Sequence, residues 1–140
     1  MELRPKVGLG VLIFKEDKIL LAKRKGSHAH AQGVYSPPGG HMEYGESFEE
    51  SIRREVEEEC GLEIQNLKFL CVYNQKEYLP DHFVNLGFMA DWKNGEPQLM
   101  EPEKMEEWGW YNLENLPQPL YAMIPKYIEA LKTSKNFFDN

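Results

Sequence analysis

The stretch Gly40–Leu62, reading GHMEYGESFEESIRREVEEECGL, decides how this chain folds around its chemistry. Ser47 followed three residues later by Glu50 is a capping box, in which each side chain satisfies a backbone N–H left open by the first turn of a helix. Gly61 stands where that helix would stop, because glycine takes the left-handed backbone of a C-terminal cap without steric cost. Between them Phe48, Ile52, Val56 and Cys60 recur every four residues and draw one slowly drifting apolar stripe. The spacing predicts a helix over 47–60 that lays this stripe on the remainder of the protein.

The same helix carries Glu55, Glu58 and Glu59 at i, i+3 and i+4, on one face and about a turn apart. Between Glu43 and Glu63 there are nine glutamates against two arginines, and such crowding costs stability unless cations sit among the carboxylates. A solvated acidic face is the ordinary reading; a site for a hard divalent cation is the other. Mg²⁺ takes oxygen ligands, using a few carboxylates together with substrate phosphates. Arg54 can orient a carboxylate through two parallel hydrogen bonds, with Glu46 as its partner. Gly39-Gly40 lets backbone approach a ligand or metal closely and offers a carbonyl as a further oxygen donor.

Working outward, residues 7–14 (VGLGVLIF) and 19–22 (ILLA) are apolar runs around the polar Lys15–Lys18, a β-hairpin buried on both faces. Residues 26–40 end in five glycines and prolines and read as a loop. Leu67–Asn74 and Phe83–Trp92 alternate and are rich in aromatics, hence strands, and Glu107–Tyr111 is a third, short one. A polar, proline-bearing loop fills 93–104. Leu120, Met123, Ile124, Tyr127, Ile128 and Leu131 repeat at helical spacing; Pro125 inside the pattern means that this helix either begins near Ile124 or breaks there. The tail from Thr133 is polar apart from Phe137-Phe138 and is expected to fray. Strands and helices interleave around a mixed sheet, an α+β arrangement.

The chain has 140 residues, 41% of them hydrophobic, which suits one compact domain over 1–140 with a core of its own. Its net charge of −7 disfavours a stable nucleic-acid complex, which needs a basic face to displace counterions from phosphates. Two cysteines make no disulfide framework, and no run approaches the length of a membrane span, so a cytoplasmic, membrane-free protein is expected. The charge is uneven: Met1–Tyr35 holds seven Lys and Arg against three acids.

The spaced residues Gly40, Glu46, Arg54, Glu55, Val56, Glu58, Glu59, Gly61 and Leu62 match the signature of the Nudix hydrolases at every defined position. The lead-in Gly33–Gly40 is similar as well, with Tyr35 where the family more often has tryptophan or phenylalanine. Ala22–Ser27, Pro38–His41, Glu101–Lys104 and Trp108-Gly109-Trp110 resemble the MutT-homologue nucleotide diphosphatases within that superfamily. The resemblance implies a Nudix fold, an α/β/α sandwich around a mixed sheet, and Mg²⁺-dependent hydrolysis of a nucleoside diphosphate linked to another group, with Mn²⁺ as a substitute. It implies Glu55, Glu58, Glu59 and the Gly39 carbonyl as metal ligands, with Arg54 supporting them. Glu103 resembles a downstream loop carboxylate, and either Glu55 or Glu103 serves as the general base.

The substrate implied is a nucleoside (deoxy)triphosphate, oxidised or modified ones such as 8-oxo-dGTP included, released as monophosphate and pyrophosphate. Arg24, with Lys23 and Lys25, is either a solvated strand end or a phosphate contact. His41 is a substrate hydrogen-bonding residue or a loop residue, and Tyr121 stands where this branch builds its base pocket. Trp108 and Trp110 read as core or interface more than as base stackers, Cys60 as helix packing, and His28 and His30 as loop residues more than metal ligands. Rival readings are another diphosphate substrate (NADH, ADP-ribose, a nucleotide sugar or an isoprenoid diphosphate) and, from a different class, a catalytically silent nucleotide-binding protein. A homodimer is compatible with exposed Trp and Tyr residues.

Overall fold

A computed structural model describes residues 3–25 and 32–139. In chain order these form β1 (Lys6–Lys15), β2 (Lys18–Arg24), β3 (Tyr35–Ser36), β4 (Gly39–His41), α1 (Phe48–Cys60), β5 (Glu63–Gln75), β6 (Phe83–Asn94), β7 (Met105–Asn112), α2 (Met123–Thr133) and β8 (Phe137–Phe138). His28 and His30, with Gly26-Ser27 at the end of the Ala22–Ser27 stretch, lie outside the described residues.

The expected hairpin of β1 and β2 closes through Phe14–Ile19 and Lys15–Lys18, and then its strands part. The first half of β1 takes β4 as its antiparallel neighbour, Gly8 beside His41 and Gly10 beside Gly39. Its other edge runs parallel to β6 without interruption from Lys6–Phe83 to Phe14–Asp91. β2 pairs with β3 and β7, and β5 lies between β6 and β8, so one mixed sheet of eight strands results.

Alternation along the central strands feeds two cores. Leu9, Val11 and Ile13 of β1, with Leu20 and Ala22 of β2, face α1 through Ile52, Val56 and Cys60. Leu12, Ile19 and Leu21 point the other way, where Cys71 and Tyr73 meet Ile124 and Tyr127 of α2. Each fully buried Leu, Ile or Val contributes about 1.5–3 kcal/mol, which explains why strands without polar alternation form the middle of the sheet. The result is the α+β mixed sheet read from the sequence and the helix–sheet–helix sandwich that the resemblance implied, with α1 and α2 on opposite faces.

α1 starts and stops where the capping residues placed it. Ser47 Oγ accepts from the Glu50 N–H at 3.0 Å, Glu50 Oε1 accepts from the Ser47 N–H at 2.7 Å, and Gly61 caps the end at φ 67°. Phe48 departs from the stripe: it sits in the first turn, 47% exposed, with its ring 6.0 Å from that of Phe88. α2 begins at Met123, so Pro125 lies in the first turn, where its missing N–H has no intrahelical partner to lose. Tyr127 from this helix drops onto two glycines of the sheet. A Cβ on Gly87 would lie 2.6 Å from Tyr127 Cε1, and one on Gly10 would lie 2.8 Å from its hydroxyl.

Three expectations need correction. The tail does not fray: Phe137 and Phe138 pair with Val72 and Tyr73, because the Phe138 ring, 3% exposed, is buried against α2. The 26–40 stretch is not loop throughout, since β3 and β4 satisfy backbone groups on the edges of β2 and β1. β5 is longer than 67–74, and register shifts near Glu63, between Gln65 and Lys68, and between Phe69 and Cys71 hide its alternation.

Candidate active site

The glutamate face of α1 lines a cleft of about 840 Å³ together with β4, the end of β2 and the loop before β7. Arg54 organises one side of it. Its Nε and Nη2 donate to Glu46 Oε2 and Oε1 at 2.6 and 3.0 Å, its Nη1 donates to Glu55 Oε1 at 2.8 Å and Glu58 Oε1 at 3.1 Å, and its Nη2 also donates to the His41 carbonyl at 3.0 Å. One guanidinium thus ties the loop before α1, two glutamates of α1 and the end of β4 together. The hydrogen bond from Arg54, then the Glu43–Glu46 backbone contact, hold the Glu46 carboxyl down at about 2.

Glu59 lies deeper. Its Oε1 accepts from the Gly39 N–H at 2.7 Å, while its own backbone carbonyl accepts from Trp108 Nε1 at 3.0 Å, securing the last turn of α1 to β7. Burial pushes its carboxyl up to about 8 against the Gly39 N–H, with the charges of Glu55 and Glu101 adding to the rise. Burial likewise raises Glu55, opposed by Arg54 and assisted by Glu58 and Glu101. Gly40 makes the close approach possible: a Cβ there would sit 2.5 Å from Glu55 Cδ and 2.6 Å from its Oε1.

These groups suit a hard divalent cation. They are oxygen donors, burial and then neighbouring carboxylates disfavour the charged forms of Glu55 and Glu59, and the backbone beside them carries no side chain to block an ion. Among the described residues no three His, Cys, Asp or Glu already close into a metal cage. Arg54 draws Glu55 and Glu58 toward itself, and Mg²⁺ characteristically binds through one or two carboxylates plus water and substrate phosphates instead of an all-protein cage.

The other predicted residues divide. Arg24, His41 and Tyr121 all line the cleft. The Arg24 guanidinium lies 5.4 Å above the Tyr121 ring, and the Tyr121 hydroxyl accepts from Gln75 Nε2 at 3.0 Å. The His41 ring packs 5.3 Å from Phe83; burial, then Lys6, lower its pKa. Glu103 is exposed and does not line the cleft, whereas Glu101 does. The turn that places it is closed by the Lys104 and Met105 N–H groups, both donating to the Glu101 carbonyl. Trp108 is core, 7% exposed, as the sequence suggested. Sequence reasoning passed over Tyr78, Phe83 and Asn85; a polar residue at an inward position of an apolar strand was the signal for Asn85.

A cleft floored by paired glycines and walled by a capped glutamate helix defines a class. The chain belongs to the NUDIX domain family, whose model matches residues 4–131. A MutT NUDIX hydrolase from Burkholderia pseudomallei is 34% identical, with a TM-score of 0.84 over 91% of this chain and 98% of that one. NAD-capped RNA hydrolase NudC of Stutzerimonas stutzeri is 37% identical over 122 residues, and that of Pseudomonas entomophila 38% over 126. These matches take in 86% and 89% of this chain but only 42% and 43% of the relatives, so the chain spans less than half the length of the curated proteins it matches. An ADP-ribose pyrophosphatase from Streptococcus suis shares the fold, with a TM-score of 0.72 at 24% identity. No helix among the described residues is long and apolar enough to cross a membrane.

Proposed function

We propose that the protein hydrolyses a phosphoanhydride bond of a nucleotide with Mg²⁺, or Mn²⁺ in its place, and that nucleoside (deoxy)triphosphates, modified ones included, are its main substrates, released as monophosphate and pyrophosphate. The observation that carries this reading is the charge pattern of one cleft: Glu55, Glu58, Glu59 and Glu101 share it with Arg24, Lys25 and Lys104. Carboxylates alone would repel a polyphosphate and cations alone would only bind it; together they suit a metal-bridged one. Glu55, Glu58, Glu59 and the Gly39 carbonyl would hold the cation, which neutralises charge on the phosphate oxygens and lowers the pKa of a bound water. Arg54 keeps Glu55 and Glu58 in position. Glu55 Oε2, the oxygen that Arg54 leaves free, takes the proton of the attacking water. Glu101 takes the place foreseen for Glu103, and Arg24, Lys25 and Lys104 engage the phosphates on the side away from α1.

A second reading, a dinucleotide diphosphate such as NADH, is favoured by the 37–38% identity to proteins named NAD-capped RNA hydrolase. One experiment separates the two: Mg²⁺-dependent turnover of ordinary and oxidised triphosphates, NADH, ADP-ribose, UDP-glucose and geranyl diphosphate, with products identified by mass. Monophosphate and pyrophosphate from the triphosphates support the first reading. Turnover confined to NADH replaces it with the second, and no turnover at all leaves a binding protein.

A further inference from the structure

Strand β4 is a partition within the cleft. On one side Gly40 meets the Glu55 carboxylate; on the other its carbonyl oxygen lies 3.8 Å from where a Cβ on Gly8 would be. With that Cβ missing, the cleft extends into a hollow over Gly8, which lines it together with Phe83 and Asn85. Phe83, 3.3 Å from the same point, makes one wall, and Asn85 Nδ2, at 3.9 Å, makes the floor. The register brings these residues together: Gly8 pairs with Asn85 across β1 and β6, and with His41 across β1 and β4.

Asn85 is 4% exposed, and an amide so buried is expected to have partners for both its ends. Its Oδ1 has one, since the Tyr127 hydroxyl donates to it in a short contact and reaches the Leu86 carbonyl only at 3.4 Å. Tyr127 cannot swing away, because Gly10 and Gly87 fit closely around its ring. The amide is therefore fixed with its NH₂ toward the cleft, and among the described residues Nδ2 has no hydrogen-bond acceptor. A donor held on a largely buried side chain and open to the cleft beside an aromatic wall asks for a flat group bearing an acceptor.

We infer that Asn85 is a specificity-determining residue, positioned by Tyr127, which donates to a carbonyl oxygen on the base and so selects a 6-oxopurine nucleotide over a 6-aminopurine one. This rests on the proposed reading that the phosphates lie against α1. Guanine and hypoxanthine present an acceptor at position 6, whereas adenine presents an NH₂ donor there, which would face the Asn85 donor. The base would stack on Phe83, which His41 backs.

The test is the affinity of the whole chain for IMP and for AMP by calorimetry with saturating Mg²⁺, alongside kcat/KM for ITP and ATP. The wild type is expected to bind IMP about tenfold more tightly than AMP. Asn85→Leu should abolish the difference, and Tyr127→Phe, which frees the amide to turn, should shrink it while AMP affinity holds. Gly8→Ala, whose methyl group crowds Phe83 and narrows the hollow without touching the Asn85–Tyr127 bond, should weaken IMP binding and gives the answer if Asn85→Leu does not fold. Equal affinities in the wild type, binding of neither nucleotide, or a preference that survives Asn85→Leu overturns the inference. Preferential IMP binding without ITP turnover supports it and overturns the triphosphate reading alone.

Discussion

Replacing Glu59 by Gln removes a charge and little else, since the amide oxygen can still accept from the Gly39 N–H. Burial is the main reason that the Glu59 carboxyl titrates at about 8 and not at an ordinary 4.5. The folded chain therefore holds a proton that the unfolded chain has released, so this group favours folding fully below 4.5 and loses that contribution as the pH rises through 8. The interval corresponds to about 5 kcal/mol at its ceiling, and water reaching the cleft lowers it to about 2–3 kcal/mol. The amide that Glu59→Gln introduces does not titrate. In EDTA, urea unfolding should find the variant as stable as wild type near about pH 5 and more stable by that margin near about pH 9. Mg²⁺ reverses the order, because cation binding needs the ionised carboxylate: it should stabilise the wild type increasingly with pH and leave Glu59→Gln unmoved and inactive. Parallel pH dependences for both proteins in EDTA, or equal stabilisation by Mg²⁺, would refute the placement of Glu59 as a buried cation ligand.

Gly40→Ala should drive the Glu55 carboxylate from its place, lowering kcat by about 100-fold while the melting temperature changes little; steady-state kinetics with differential scanning fluorimetry check both. Arg24→Ala should raise KM for triphosphates about tenfold and leave urea stability within about 0.5 kcal/mol, and unaltered kinetics would remove Arg24 from the site. Gly87→Ala, which sets a methyl group 2.6 Å from Tyr127 Cε1, should cost about 1–3 kcal/mol in urea unfolding.

The elements legible in the sequence are those with local causes. Ser47, Glu50 and Gly61 fix α1 by hydrogen bonds that span only three to five residues, and the apolar run 7–14 needs no partner to be recognised as a buried strand. β3, β4 and β8 were not legible, because two or three residues carry no period and become strands only beside an edge supplied from elsewhere. The site divides along the same line. Glu55, Glu58 and Glu59 follow from helical spacing, and Arg54 with Glu46 from charge and reach. Glu101 and Glu103 are two residues apart in a loop, and only the turn closed on the Glu101 carbonyl selects between them. Asn85 depends on a tyrosine 42 residues away and on two glycines that admit it, a relation that no window of sequence contains.

At Gly39 and Gly40, between the Glu55 carboxylate and β1, strand β4 is backbone alone, held to β1 by its ladder. With the base placed as inferred, it would work as a ruler. In a nucleotide seated with its base in the hollow, the bond that is cut is measured from the nucleoside end and not from the free end of the phosphate chain. Nucleoside diphosphates and triphosphates would then both end as the monophosphate, differing only in whether phosphate or pyrophosphate leaves. The hollow could be reshaped to accept another base without altering which bond breaks.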